Sequence, residues 1–195
     1  MSLPRSLLAL ALVLCTGLAA ASPRDELHQA FSRFLAAKSF RASVTDVKKG
    51  QQLSTLEFVA PDRYRIENGQ GQMEQILIGG DAYTLIDGRR IKLPMPIQVD
   101  RIVGQYRNQA ALDQLAQGLE VTALGAETVD GIATQVYAYT QTEPARSEVK
   151  VWVNSATGLP LQLESSGRFL RLKSTTRIRY YDFDDARIRV QAPAD

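Results

Sequence analysis

The chain has 195 residues, 23 basic against 21 acidic, a formal net charge of +2, one cysteine and one histidine. That near-balance argues against a nucleic-acid binder. Single Cys15 and single His28 leave no material for a disulfide framework or a Cys/His metal site, and a thiolate nucleophile is excluded once Cys15 is removed with the N-terminal leader.

The first 21 residues read as a secretory leader. Arg5 supplies the positive start, Ser6 to Leu14 the apolar run and Ala19-Ala20-Ala21 the small-residue cleavage site. The run is too short for a membrane-spanning helix. Cleavage is expected after Ala21, because Pro23 as first residue would obstruct a peptidase. Cys15 then leaves with the leader; a lipid-anchoring role for it is the alternative, against which Leu12-Val13-Leu14 places bulky residues where small ones are needed. Residues 22–195 are expected to form one domain. About 170 residues can bury roughly 70% of their unfolded surface without disulfides.

Ser22-Pro23-Arg24-Asp25 has the cap, first-turn proline and early acid of a helix start. Leu27, Ala30, Phe31, Phe34 and Leu35 continue it as an apolar stripe for about four turns. His28 falls on this helix, where a solvated position is the ordinary reading. After Lys38 the period becomes two. Phe40, Ala42 and Val44 alternate with polar residues, as do Leu56 and Phe58, then Tyr64 and Ile66. Lys49-Gly50, Pro61-Asp62, Asn68-Gly69, Gly79-Gly80 and Asp87-Gly88 punctuate short strands that continue through Gln75–Ile78, Asp81–Ile86 and Arg89–Leu93.

Residues 94–118 interrupt this meander. Pro94 and Pro96 break the strand pattern, and Val99, Ile102, Val103 and Tyr106 return to helical spacing. Asn108 can cap a second short helix carrying Ala111, Leu112, Leu115 and Ala116, ended by Gly118. Strands resume at Glu120–Leu124, Ile132–Gln141 after Asp130-Gly131, Glu148–Asn154, Pro160–Ser165 and Phe169–Tyr181.

The expected fold is α+β: an unclosed, strongly curled antiparallel β-barrel of about eleven strands. The N-terminal helix and the helical insertion cover its concave face. Such a sheet encloses either a space its helices fill completely or a residual apolar pocket for a small apolar ligand. Alternation turns Phe40, Ala42, Val44, Leu56, Phe58, Tyr64, Ile66, Leu170, Leu172, Ile178 and Tyr180 to that face, as core or as ligand lining. Arg171, Lys173, Arg177 and Arg179 take the opposite face. They form either a surface for anionic headgroups or acidic partners, or a solvated sheet face. Asp182, Asp184 and Asp185 lack the glycine and distal glutamate of a calcium loop.

Several segments are familiar in order. They are Ser39-Phe40-Arg41-Ala42-Ser43 after the helix, Phe58-Val59-Ala60-Pro61-Asp62-Arg63-Tyr64-Arg65, Val129-Asp130-Gly131 before Val136-Tyr137-Ala138-Tyr139, Val151-Trp152-Val153 with Thr157-Gly158-Leu159-Pro160, and Tyr180-Tyr181-Asp182-Phe183. Together they resemble the LolA-like superfamily of periplasmic lipoprotein carriers across the mature chain. The resemblance implies a half-barrel with a helical lid, to which Val99, Ile102, Val103 and Tyr106 would belong. It implies binding of the acyl chains of a lipoprotein or another lipid, for transfer towards the outer membrane. The expected partners are that lipid and a transient inner- or outer-membrane protein, with the chain a monomer in the periplasm, no enzyme, no cofactor and no metal. One departure stands out. The family's lipoprotein carrier has an arginine just before the strand-breaking proline that bonds to the lid; here Ala60 takes that place, alternating inward with Leu56 and Phe58. An envelope-stress sensor or protein-interaction module of the same fold is the alternative without cargo. A hydrolase would have to be assembled from His28 and a serine.

Overall fold

The computed structural model describes residues 21–68, 71–91, 107, 109–142, 146–169 and 172–193. Helix α1, Pro23–Ala36, begins as its sequence dictates: the Ser22 side chain accepts from the Asp25 amide at 3.2 Å. Leu27, Ala30, Phe31 and Phe34 are buried along one face.

Six strands follow as a meander: β1 Ser39–Asp46, β2 Gln51–Val59, β3 Arg63–Asn68, β4 Met73–Ile78, β5 Asp81–Ile86 and β6 Arg89–Ile91. Asp87 and Gly88 both have positive φ, 50° and 74°, the pattern of a two-residue hairpin whose twist matches its strands. The second helix, α2, is Gln109–Ala116, and the chain leaves it through Gly118 at φ 100°. A second meander completes the chain: β7 Thr122–Val129, β8 Ile132–Gln141, β9 Ser147–Asn154, β10 Pro160–Phe169 and β11 Leu172–Tyr181.

All eleven strands form one antiparallel sheet in the order β6-β5-β4-β3-β2-β1-β11-β10-β9-β8-β7. The two meanders meet where β1 pairs with β11, Arg41 opposite Tyr181 through Asp46 opposite Thr176. The sheet is left open, with β6 and β7 as its edges.

Three expectations need correction. The strand expected at Glu120–Leu124 begins at Thr122 and continues to Val129, and all but its last residue are exposed. An edge strand has no buried face to impose alternation, so periodicity misplaced it. The strand expected to stop at Ser165 runs on through Ser166 and Gly167 to Phe169. It is held by β9 and β11 on either side, which outweighs the low strand preference of that stretch. Phe169 therefore belongs to β10, opposite Leu172, and β11 starts three residues later than expected. The first helix of the insertion, with Val99, Ile102, Val103 and Tyr106, lies outside the described residues, as do Asn108, Leu170 and the side chain of Leu172.

Helix α1 lies on one face of the sheet, here the core face, and its apolar residues serve both halves. Phe34 joins Phe40, Ala42, Leu56, Phe58, Tyr64, Ile66, Leu77, Ile178 and Tyr180 in one cluster. Leu27, Ala30 and Phe31 join Tyr137, Tyr139, Val149, Val151 and Val153 in the other, with Leu112 of α2 against it. The Phe34 ring lies 4.9 Å from Phe40 and 4.8 Å from Tyr180, directly over the β1–β11 seam. Truncation of Phe34 to alanine removes this plug, and a stability loss of about 3–5 kcal/mol in urea unfolding is expected. A loss below about 1 kcal/mol would show that the seam does not need it.

Candidate functional site

The residues expected to face the sheet interior are largely brought together. Phe40, Ala42, Leu56, Phe58, Tyr64, Ile66, Ile178 and Tyr180 are buried in one cluster, with Val44 half-buried against it. The registers arrange this face in rows. One row runs from Phe40 to Phe58, Tyr64, Leu77 and Ala82. The next runs from Tyr180 and Ala42 to Leu56, Ile66, Gln75, Thr84 and Ile91. A third runs from Ile178 and Val44 through Ser54, Asn68 and Met73 to Ile86 and Arg89.

Burial changes along these rows. At the β1–β11 seam the face is packed under α1. Towards β6 it opens: Ile86 is 38% exposed and Ile91 40%. Four strand spacings separate β2 from β6, about 19 Å. Within this region Thr84 is 2% exposed, and its hydroxyl has no hydrogen-bond partner.

Arg107, which the sequence reading did not single out, reaches into this face. Its guanidinium carbon stands 4.2 Å from the centroid of the Phe58 ring. Its Nη2 donates to the Leu35 carbonyl at 2.5 Å, in the last turn of α1. Its Nε is buried without a hydrogen-bond partner among the described residues. The one available signal was a cation next to the helix start at Asn108. Ala60, expected to point inward, is instead exposed. β2 ends at Val59, so the alternation stops there, and the Ala60 amide donates to the Lys38 carbonyl at 2.7 Å.

The opposite face of the sheet is charged and self-paired. Arg41 Nε donates to Glu57 at 2.8 Å and its Nη1 to Asp182 at 2.9 Å. Arg65 lies 3.6 Å from Glu57 and 3.0 Å from Glu74. Arg177 meets Glu164 at 2.7 Å, and Arg179 meets Asp130 at 2.5 Å. A shallow groove of about 180 Å³ opens here, bordered by Arg41, Glu57, Arg65, Glu67 and Tyr181. Of the expected basic stripe, Arg177 and Arg179 thus have carboxylate partners. Each such surface pair contributes about 0–1 kcal/mol.

The three aspartates after β11 also have structural work. Asp184 Oδ1 accepts from the Lys38 amide at 2.7 Å and the Ser39 amide at 3.4 Å, fastening the start of β1. Asp182 pairs with Arg41. Hydrogen bonds from the Arg187 side chain hold Asp185 well below the usual carboxylate range, at about 2. Among the described residues no group of three His, Cys, Asp or Glu is placed to hold a metal ion. Nor is any helix among them long and apolar enough to cross a membrane.

Comparison with solved structures places this fold beside two mycobacterial proteins. The lipoprotein LppX of Mycobacterium tuberculosis is 12% identical, over 87% of this chain and 98% of that one, with a TM-score of 0.62. LprF of Mycobacterium bovis is 12% identical, over 89% of this chain and 97% of that one, also at 0.62. A LolA superfamily protein of Nitrosomonas europaea, NE2245, is 12% identical over 84% of this chain and 93% of that one, at 0.32. The open antiparallel sheet with a helix across one face is thus a fold shared with LppX and LprF. No protein-family model and no curated protein matches the sequence.

Two outcomes follow from the electrostatics. Burial, with a hydrogen bond from Tyr137 to Glu26 at 2.6 Å, raises the Tyr137 phenol, and burial alone raises Tyr139. Their contribution to stability is complete below the ordinary tyrosine value near 10 and is lost as pH rises past it, since only the unfolded chain releases these protons readily. Urea unfolding at rising alkaline pH is expected to show that decline, and Tyr137→Phe with Tyr139→Phe to flatten it. An unchanged decline in the double variant would assign it to other groups. For Asp184, replacement by alanine is expected to cost about 1–2 kcal/mol and replacement by asparagine distinctly less, because an amide oxygen still accepts from the two backbone donors. Calcium or a chelator should leave the thermal midpoint in place. A calcium-dependent rise that Asp184→Ala abolishes would mean the cluster holds the ion.

Proposed function

We propose that this protein is a periplasmic carrier, exported by its leader, that holds acyl chains of a lipoprotein or another lipid on the core face of the sheet for transfer towards the outer membrane. The observation that carries this reading is the apolar surface left open beyond α1. The row that begins fully buried at Leu56 ends at the exposed Ile91, and the neighbouring row from Ile178 and Val44 reaches the exposed Ile86. A soluble protein ordinarily covers such a continuation of its core.

The energetics are sufficient. Each buried methylene contributes about 0.8 kcal/mol, so ten supply about 8 kcal/mol before the costs of ordering. A micromolar Kd needs about 8 kcal/mol net, so a chain longer than about ten methylenes must be buried to meet those costs as well. In this reading the exposed Ile86 and Ile91 receive the chain at the edge, while the buried Ile66 and Leu77 are the core behind them, with Phe40 and Tyr180 supporting α1. The shared fold with the mycobacterial lipoprotein LppX and with LprF is in keeping with this reading.

Protein purified from the bacterial envelope is expected to release lipid on organic extraction, detected by mass spectrometry, and to bind a fluorescent fatty acid. Ile86→Asp with Ile91→Asp is expected to raise the Kd roughly tenfold, because each isoleucine gains up to about 1.5–3 kcal/mol on full burial. Both side chains are exposed in the free protein, so the thermal midpoint should move little. Absence of extracted lipid together with no fatty-acid binding would end the carrier reading.

A further inference from the structure

We infer that the lipid taken up carries an oxyanion headgroup, a carboxylate or a phosphate, and that Arg107 receives it. This rests on the carrier reading above and specifies the chemistry of its cargo.

A guanidinium is charged at any physiological pH and offers five N–H donors. Sinking one among aromatic rings is costly unless an anion meets it. Every partner described for Arg107 is something less than an anion. The Phe58 face supplies a cation–π attraction of about 0.5–2 kcal/mol. The Leu35 carbonyl belongs to the C-terminal turn of α1, which carries a fraction of a negative charge. No carboxylate among the described residues lies within ion-pair distance of Arg107.

The contrast with the outer face is informative. There Arg41, Arg65, Arg177 and Arg179 are each matched by an aspartate or glutamate, although water would have solvated them. Arg107, half-buried on the apolar face, has no carboxylate partner among the described residues. Its Nε is buried and idle, and Nη2 uses one of its two hydrogens on Leu35. Nε–H and the second Nη2–H form one side of the fork, which suits two oxygens of a carboxylate or phosphate.

Placement agrees with this chemistry. Arg107 sits on Phe58, whose row runs through Tyr64 and Leu77 to Ala82, beside the row that runs from Leu56 to Ile91. A headgroup gripped there would direct its acyl chain along those rows to the β6 edge, about 19 Å away. The competing role for Arg107 is a clip that ties the start of α2 to the end of α1. A clip would support neutral and anionic ligands alike.

The test is competition against a neutral fluorescent acyl ester with three probes sharing a sixteen-carbon chain: palmitate, hexadecyl phosphate and methyl palmitate. At least one anion is expected to bind ten or more times tighter than methyl palmitate, and the larger gap identifies the headgroup as carboxylate or phosphate. Arg107→Gln is expected to bring all three within about threefold of each other while leaving methyl palmitate unchanged. Equal affinities in the unaltered protein, or a uniform loss in Arg107→Gln, would overturn the inference and leave the carrier reading standing. Binding of none of the three would overturn the carrier reading itself. Should Arg107→Gln not fold, the Arg107 Nε–H signal of the unaltered protein in ¹⁵N NMR decides. It is expected to move with the favoured anion and not with methyl palmitate; equal movement, or none, overturns the inference.

Discussion

The structure depends on the pairing of its first strand with its last. β1 and β11 are separated by most of the chain, yet they lie side by side at the centre of an eleven-stranded sheet. Each meander forms from local hairpins; only this seam joins them. Ala42 against Tyr180 and Val44 against Ile178 set the register, and Phe34 of α1 closes over it. Asp184, just beyond β11, reaches back to the amides that begin β1. A slip of one residue would turn every apolar side chain of one half to the wrong face. The continuity of the rows from the seam to the β6 edge therefore rests on this one pairing.

Charge is distributed against expectation, and that distribution carries the functional argument. Outer-face arginines that could have recruited an acidic partner are engaged by the protein's own carboxylates. Arg107, with no carboxylate partner among the described residues, lies instead against Phe58 on the apolar side. Apolar rows ending in solvent, beside an unmatched guanidinium, have the chemical outline of a fatty anion: a long hydrocarbon and a small negative head. Neither feature would suffice alone. Exposed isoleucines at a sheet edge are common, and so are arginines that clip helices. Their occurrence on the same face of the sheet distinguishes that face from the solid core of an ordinary sheet protein.

Much of this was visible in the residues. Period-two alternation located β1 to β6, β8 and β9 closely, because each has one buried and one solvated face. Ser22 and Pro23 started α1, and Asp87-Gly88 and Asp130-Gly131 made their hairpins, because those conformations are local. The failures share one cause. β7 is an exposed edge without a pattern, the Ser165-Ser166-Gly167 stretch is a strand only because two neighbours hold it, and Ala60 turns outward once β2 ends.

The sequence by itself determined which residues are apolar on which face of each strand, where the helix caps lie and where the hairpins turn, all matters of local sterics and hydrogen bonding within a few residues. Only the tertiary structure decided that the two meanders join through β1 and β11, that Arg177 and Arg179 meet carboxylates on other strands, and that Arg107 stands over Phe58. Those facts depend on contacts between residues tens of positions apart, whose alignment is set by the burial of the whole apolar face at once.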